Sequence, residues 1–263
     1  MTRARLGLTV FISGVVFAST TWAQPRSSPV KISTELPHVE LAAGLNAMWG
    51  GAGSDSVRQL RALHLDDHSP MFPRKTLPWT QSGFGLFGQV HVAVAHNAMV
   101  GYLVSRTQQD THGVRTAIDT APGAPMYSSA VDAHEDIKTR ALIVSFRPNA
   151  WIKVGAGPAL HERAFDLFAA QRAVADVGPH DSALGWVASG ELKFRRAPST
   201  DDHPPLFGHV VAQYRAAGSA VSDTAELSLG TTYGGTNLGS VTWPATSLRF
   251  SHWMVGVGIG LEF

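Results

Sequence analysis

Apolar residues recur at every second position in eight separate runs along the chain, the pattern of strands whose two faces meet different surroundings. The last run, HWMVGVGIGLEF at 252–263, sets Trp253, Val255, Val257, Ile259, Leu261 and Phe263 on one face. His252, Met254, three glycines and Glu262 take the other. Seven earlier runs repeat it: VELAAGLNAMW from Val39, FGLFGQVHVAVAH from Phe84, residues 98–105, TRALIVSFR from Thr139, WIKVGAGPAL from Trp151, ALGWVASGELKF from Ala183 and LFGHVVAQYR from Leu206. The runs are 8–13 residues long, about the length a tilted strand needs to cross a hydrocarbon core.

The spacers alternate in length. Residues 50–83, 107–139, 161–182 and 216–251 are long, whereas 96–98 and 148–150 are tight and 196–205 is fairly short. Short turns at one end and long loops at the other are the asymmetry of a membrane barrel, and an even strand count brings both termini to the short-turn side. The predicted fold is therefore all-β: an antiparallel up-and-down transmembrane β-barrel over 38–263. It has eight strands, or ten if the fourth spacer adds a hairpin around AELSLGTTYGG and TSLRFSH. Segments 54–66 and 161–176 each read as a short helix or a strand extension, and the pattern does not choose between them.

A soluble barrel also has alternating strands, but it fills its interior with apolar side chains and spreads charge outside. Here the face opposite the apolar one carries Gly, Ser, Gln, His, Glu, Lys and Arg, and only 16% of the chain is charged. Placed in an eight-stranded barrel, whose interior is just filled by side chains, Glu40, Arg147, Lys153, Glu191, Lys193, Arg215 and Glu262 point inward together. Buried charges must pair, so these residues predict a plug of salt bridges rather than an open pore.

The first residues sharpen the setting. Arg3 and Arg5 precede an apolar stretch at 6–18 and small residues at Thr21 and Ala23, which reads as a cleavable secretory signal over 1–23, followed by a periplasmic segment at 24–37. Without 1–23 the chain holds 19 basic against 20 acidic residues, which argues against nucleic acid as a partner. The chain has no cysteine, so disulfides and thiolate metal sites are excluded.

The signal sequence, the eight alternating runs and the closing GVGIGLEF with its aromatic last residue resemble the small outer-membrane β-barrel proteins of Gram-negative bacteria, the class of the OmpA transmembrane domain and OmpX-like proteins. The resemblance covers about 38–263 and is architectural. It implies an outer-membrane location with periplasmic termini, contact with outer-membrane lipid and lipopolysaccharide, and a barrel-assembly signal at Val257, Ile259, Leu261 and Phe263 that is read by the barrel-assembly machinery.

Catalytic and metal-binding readings are thin. His64 and His68 share an i, i+4 spacing around Asp66 and Asp67 but lack a recognisable third ligand, and a solvated loop explains them as well. Ser251 and His252 adjoin near a strand end, yet neighbours on a strand point to opposite faces and cannot form a nucleophile–base pair. No catalytic residue, metal or cofactor is called for. The expected role is structural or interactive, with four long extracellular loops presented to a ligand. Trp79, Met71, Phe72, Tyr233 and Trp243 are candidate contact residues, although packing of the loops on themselves explains these as well. A narrow solute channel and a lipid A-modifying enzyme are the alternatives.

Overall fold

The computed structural model describes residues 39–65, 79–80, 83–118, 126–170, 172–174, 177–195, 206–230 and 237–263. The signal and N-terminal segments expected over 1–37 lie outside these residues, as do Asp66, Asp67, His68, Met71, Phe72 and Tyr233.

Eight strands close into one antiparallel barrel: β1 (Val39–Gly50), β2 (Gly83–Ala95), β3 (Ala98–Ile118), β4 (Met126–Phe146), β5 (Ile152–Ala169), β6 (His180–Arg195), β7 (Leu206–Ala216) and β8 (His252–Glu262). Each strand pairs with the next in sequence. The ring closes where β8 meets β1, with Glu40 opposite Glu262 and Trp49 opposite Trp253. Backbone N–H and C=O groups thereby find partners within the barrel, which a wall facing hydrocarbon requires.

Two of the long spacers are largely strand. β3 and β4 each run 21 residues and pair from Ala98–Phe146 to Ile118–Met126, and β5 extends to Ala169. The expected loops at 107–139 and 161–182 are thus mostly barrel wall, because their period-2 alternation continues without a break. The fourth spacer does form a hairpin, in two ladders: Ser219–Ser222 with Thr246–Arg249, and Ala225–Ser228 with Ser240–Trp243. It stays off the barrel ladder, so the strand count is eight rather than ten.

The first long spacer opens with helix α1 (Ala52–Ala62). Its apolar side, Ala52 and Leu60, together with the following Leu65, packs into a buried cluster with Ile137, Phe165, Leu167, Trp243 and Phe250. Trp243 is therefore a core residue and not an exposed contact; its Nε1 donates to Ser222 Oγ at 3.0 Å.

Outside, apolar side chains form a continuous belt, including Leu45, Leu86, Val104, Leu142, Val144, Trp186, Val257 and Ile259, with Val144 and Ile259 each about two-thirds exposed. A row of aromatics, Trp49, Trp253 and Tyr214, crosses β1, β8 and β7 at one edge of the belt, with the Tyr214 and Trp253 rings 5.0 Å apart. Phe146, Trp151, Phe194 and Phe263 lie towards the end where β1 starts and β8 stops. On β3 and β4 the outward residues turn polar beyond Val104 and Leu142, where Arg106 pairs with Asp136, His134 with Asp110 and His112 with Asp132.

Candidate functional site: the closed lumen

Strand parity decides what enters the lumen. Even-numbered residues of β1 and β8 point inward, and odd-numbered residues of β2 to β7 do the same. Near the end where β1 starts and β8 stops this brings Glu40, Glu191 and Glu262 against Arg147, Lys153 and Lys193, three carboxylates facing three cations.

Lys193 contacts Glu40 and lies 3.3 Å from Glu262 Oε1. Lys153 Nζ sits 3.1 Å from Glu40 Oε2 and 3.2 Å from Glu191 Oε2. Arg147 spans the seam between β1 and β8, with Nη1 at 2.8 Å from Glu40 Oε1 and Nη2 at 3.1 Å from Glu262 Oε1. All six are buried apart from Arg147, which is 16% exposed at the rim. Each ion thus has opposite charges within reach, the condition under which buried charge is tolerated.

Arg215, grouped with these residues by its inward parity, does not join them. It lies six residues beyond His209 on β7, about 20 Å along the strand, and its guanidinium bonds to Gln213 Oε1 and approaches Met254 Sδ. Parity set its face correctly but left its height unspecified.

Three further residues complete the lower cluster. Gln89 Nε2 donates to Glu191 Oε2 at 2.8 Å, His209 Nδ1 lies 3.3 Å from Glu191 Oε1, and the Phe207 ring sits under Lys193 Nζ at 4.4 Å. Gln89 and His209 share the inward parity of the charged residues, and cross-strand register, which pairs His209 with Lys193, was the signal that would have found His209. Glycines provide the space: a Cβ on Gly101 would strike the His91 ring, and one on Gly260 the Phe207 ring.

Above the ions an apolar layer of Phe87, Leu103, Ile143, Val187, Val211 and Met254 fills the middle of the barrel. Higher still, the cluster beneath α1 occupies the far mouth. There Glu135 on β4 accepts from Gly53 N at 3.2 Å, so its carboxylate meets the helix N-terminus, where Gly51, at φ 73°, offers no side-chain cap. Gly51 has to be glycine on both counts, since a Cβ would also press on the Glu135 carboxylate. Burial pushes the Glu135 carboxyl up to about 8; the Ala52 and Gly53 amides pull the other way, and Asp55 adds to the rise. Asp55 is itself gripped by Arg249, through Nε at 3.1 Å, Nη2 at 3.0 Å and the backbone N at 3.0 Å.

The remaining candidates are dispersed. Helix α1 ends at Ala62, two residues before His64, which adopts φ 54°, so no helical turn carries the His64 spacing. No group of three metal-ligating side chains occurs among the described residues. Ser251 Oγ accepts from Gly218 N while His252 Nδ1 bonds Phe250 O inside the barrel, so the two do not meet. On β8, Val257, Ile259 and Phe263 are exposed on the belt and Leu261 is half-buried.

A closed ring of eight antiparallel strands, with a continuous apolar belt outside and paired charges at one end of the lumen, decides the fold class. The chain is an antiparallel up-and-down transmembrane β-barrel. No protein-family model matches the chain, and no curated protein does. Among solved structures it is similar to the attachment invasion locus protein Ail of Yersinia pestis, solved with the heparin analogue sucrose octasulfate, at 9% identity and a TM-score of 0.37 over 86% of this chain and 100% of that one. It is similar also to the outer membrane protein OprG of Pseudomonas aeruginosa, at 12% identity and TM-score 0.40 over 87% and 97% of the two chains. The outer membrane protease OmpT of Escherichia coli aligns at 6% identity and TM-score 0.35 over 86% and 96%. At such identities and scores no residue role is carried from any of them to this barrel.

Proposed function

We propose that this barrel is a non-conducting, non-catalytic outer-membrane protein whose termini face the periplasm and whose far end, built from α1, the β3–β4 extension and the 219–249 hairpin, is presented outside the cell. The observation that supports the reading is the set of inward side chains: ion pairs at one end, an apolar layer in the middle, and a second apolar cluster under α1 at the other. A structural or surface-contact role suits a lumen lined in this way.

Single-channel recording in planar bilayers tests it. The reading expects a flat baseline at moderate voltage, and stable conductance steps from the wild-type protein would overturn it in favour of a narrow channel. Lipid A mass analysis with and without the protein tests the non-catalytic part, with identical lipid species expected. For assembly, we assign the outward row Val257, Ile259, Leu261 and Phe263 of β8 to recognition by the barrel-assembly machinery. Phe263→Ala should slow the appearance of folded barrel in the outer membrane, and an unchanged rate would remove that assignment.

A further inference from the structure

We propose that the lumen binds a small monovalent anion of the halide class beside Arg215, in a polar layer between the two apolar clusters. The site goes beyond the role proposed above, which gives the lumen no ligand, and it is separate from the paired ions at the lower end.

Arg215 is fully buried, yet no carboxylate lies within ion-pair reach of it among the described residues. A guanidinium keeps its charge in a protein, and an ion taken out of water without a counter-charge costs several kcal/mol. The carboxylates of the neighbouring strands are distant or already held. On β6, Glu191 lies four residues below Val187, the ladder partner of Arg215, about 13 Å along the strand, and it pairs with Lys153. Asp181, higher on the same strand, is held by Arg163. On β4, Glu135 lies four residues above Thr139, again about 13 Å away, and faces the N-terminus of α1.

What surrounds the guanidinium is a set of donors. Gln213 Oε1 accepts from Arg215 Nε at 3.1 Å and from Nη2 at 2.9 Å, which leaves the Gln213 amide nitrogen as a buried donor without a partner. Thr139 Oγ1 lies 3.5 Å from Arg215 Nη1 and 3.0 Å from His161 Nδ1. With the guanidinium against its lone pair, the hydroxyl gives its proton to Nδ1. His161 then carries its own proton on Nε2, which is also buried and without a partner. His252, opposite Arg215 in the ladder, directs Nδ1 to Phe250 O and adds no negative charge. Arg215, Gln213, Thr139 and His161 are each at most 1% exposed. Gly185 leaves room for the imidazole, since a Cβ there would stand 3.0 Å from His161 Cδ2.

Apolar layers seal this level from both sides. On β4, Thr139 stands between Ala141 of the middle layer and Ile137 of the upper cluster; on β7, Gln213 and Arg215 stand between Val211 and Ala217 of the same two. One uncompensated positive charge and two partnerless donors in such a setting suit a single monatomic anion. It neutralises Arg215 and accepts from Gln213 Nε2 and His161 Nε2 in charge-assisted hydrogen bonds. A water molecule in its place would satisfy the donors but leave the charge uncompensated.

The test uses the full barrel refolded into zwitterionic micelles with sodium bromide or sodium gluconate as the only salt. Bromide stands in for chloride and reports its position by anomalous scattering in crystals of the barrel. A peak should appear against Arg215 and Gln213 in wild type and be absent from Arg215→Met. In urea unfolding, wild type should gain stability with rising bromide, because an anion bound only to the folded state stabilises it. Arg215→Met removes the charge at similar volume. It should be at least as stable as wild type in gluconate and less stable than wild type in bromide. His161→Phe, which keeps Arg215, should weaken bromide binding by about tenfold. The site is overturned if no bromide peak stands at Arg215, an ordered water there included. It is equally overturned if Arg215→Met and wild type keep the same order of stability in both salts, the result of a purely structural arginine, or if His161→Phe binds bromide as wild type does. Should Arg215→Met fail to show the heat-dependent SDS shift of a closed barrel, the wild-type peak and the His161→Phe titration decide.

Discussion

The lower and upper halves of the same strands are built for opposite solvents. On β4 the even positions Leu142, Val144 and Phe146 are apolar and exposed, but beyond Arg140 the even positions become Lys138, Asp136, His134 and Asp132. The odd positions stay inward throughout: Ser145 and Thr139 bracket Ile143 and Ala141 in the lower half, and Ile137, Ala133 and Val131 join the apolar cluster around the buried Glu135 in the upper. Side-chain direction never alters; only the medium outside the wall does. Where lipid surrounds the barrel, the outside is apolar and polar groups are confined to the lumen. Where water surrounds it, the barrel reverts to the soluble arrangement, with an apolar core under α1.

The largest expected effects come from the two kinds of filling. Lys193→Met leaves Glu40 and Glu262 short of a buried cation and should cost about 3–5 kcal/mol in urea unfolding of the micelle-bound barrel. Phe165→Ala in the upper core should cost a similar amount, about 3–5 kcal/mol, through a cavity. If either substitution were neutral, that half of the lumen would not be packed as the proposed function requires. Next in size, Val144→Arg in the belt should destabilise by about 2–4 kcal/mol. The same arginine at His134, ten residues up the same face, should fall within about 0.5 kcal/mol of wild type, and equal costs at both positions would erase the distinction between the halves.

A separate effect depends on pH. With the Glu135 carboxyl raised above its unfolded value, the folded state holds this proton while the unfolded chain releases it. Its contribution is therefore fully present below about pH 4.5 and is lost as pH rises towards about 8. Protection factors of the α1 amides, with the intrinsic pH dependence of exchange divided out, should fall over that window in the wild type. Glu135→Gln should flatten this dependence, and a persistent slope would place its origin elsewhere.

The eight runs were legible because lipid imposes an apolar outer face that recurs at period two. The upper extensions were not, although they keep the same parity, because a search for outward apolar residues stops at Arg106 and Arg140 where water begins. Val131, Ala133 and Ile137, and again Phe165, Leu167 and Ala169, carried the alternation with its polarity exchanged. The charged cluster was readable for a related reason: Glu40, Glu191, Glu262, Lys153, Lys193 and Arg147 share a face and sit near strand ends that meet. Arg215 shares the face but not the height, and height comes from register, which one strand read alone does not reveal. Glu135, between His134 and Asp136, carries no signal of its own in the sequence, because its inward direction gains meaning only from the N-terminus of α1 that starts against it.

The most direct test of the change of solvent is to place single nitroxide labels at the even positions 132, 134, 136, 142, 144 and 146 of the barrel in lipid, which the cysteine-free chain makes straightforward. Collision with oxygen, which concentrates in the bilayer, should dominate at 142, 144 and 146. Collision with a water-soluble nickel chelate should dominate at 132, 134 and 136. A uniform response along all six positions would contradict the account, because the wall would then stand in one medium from end to end.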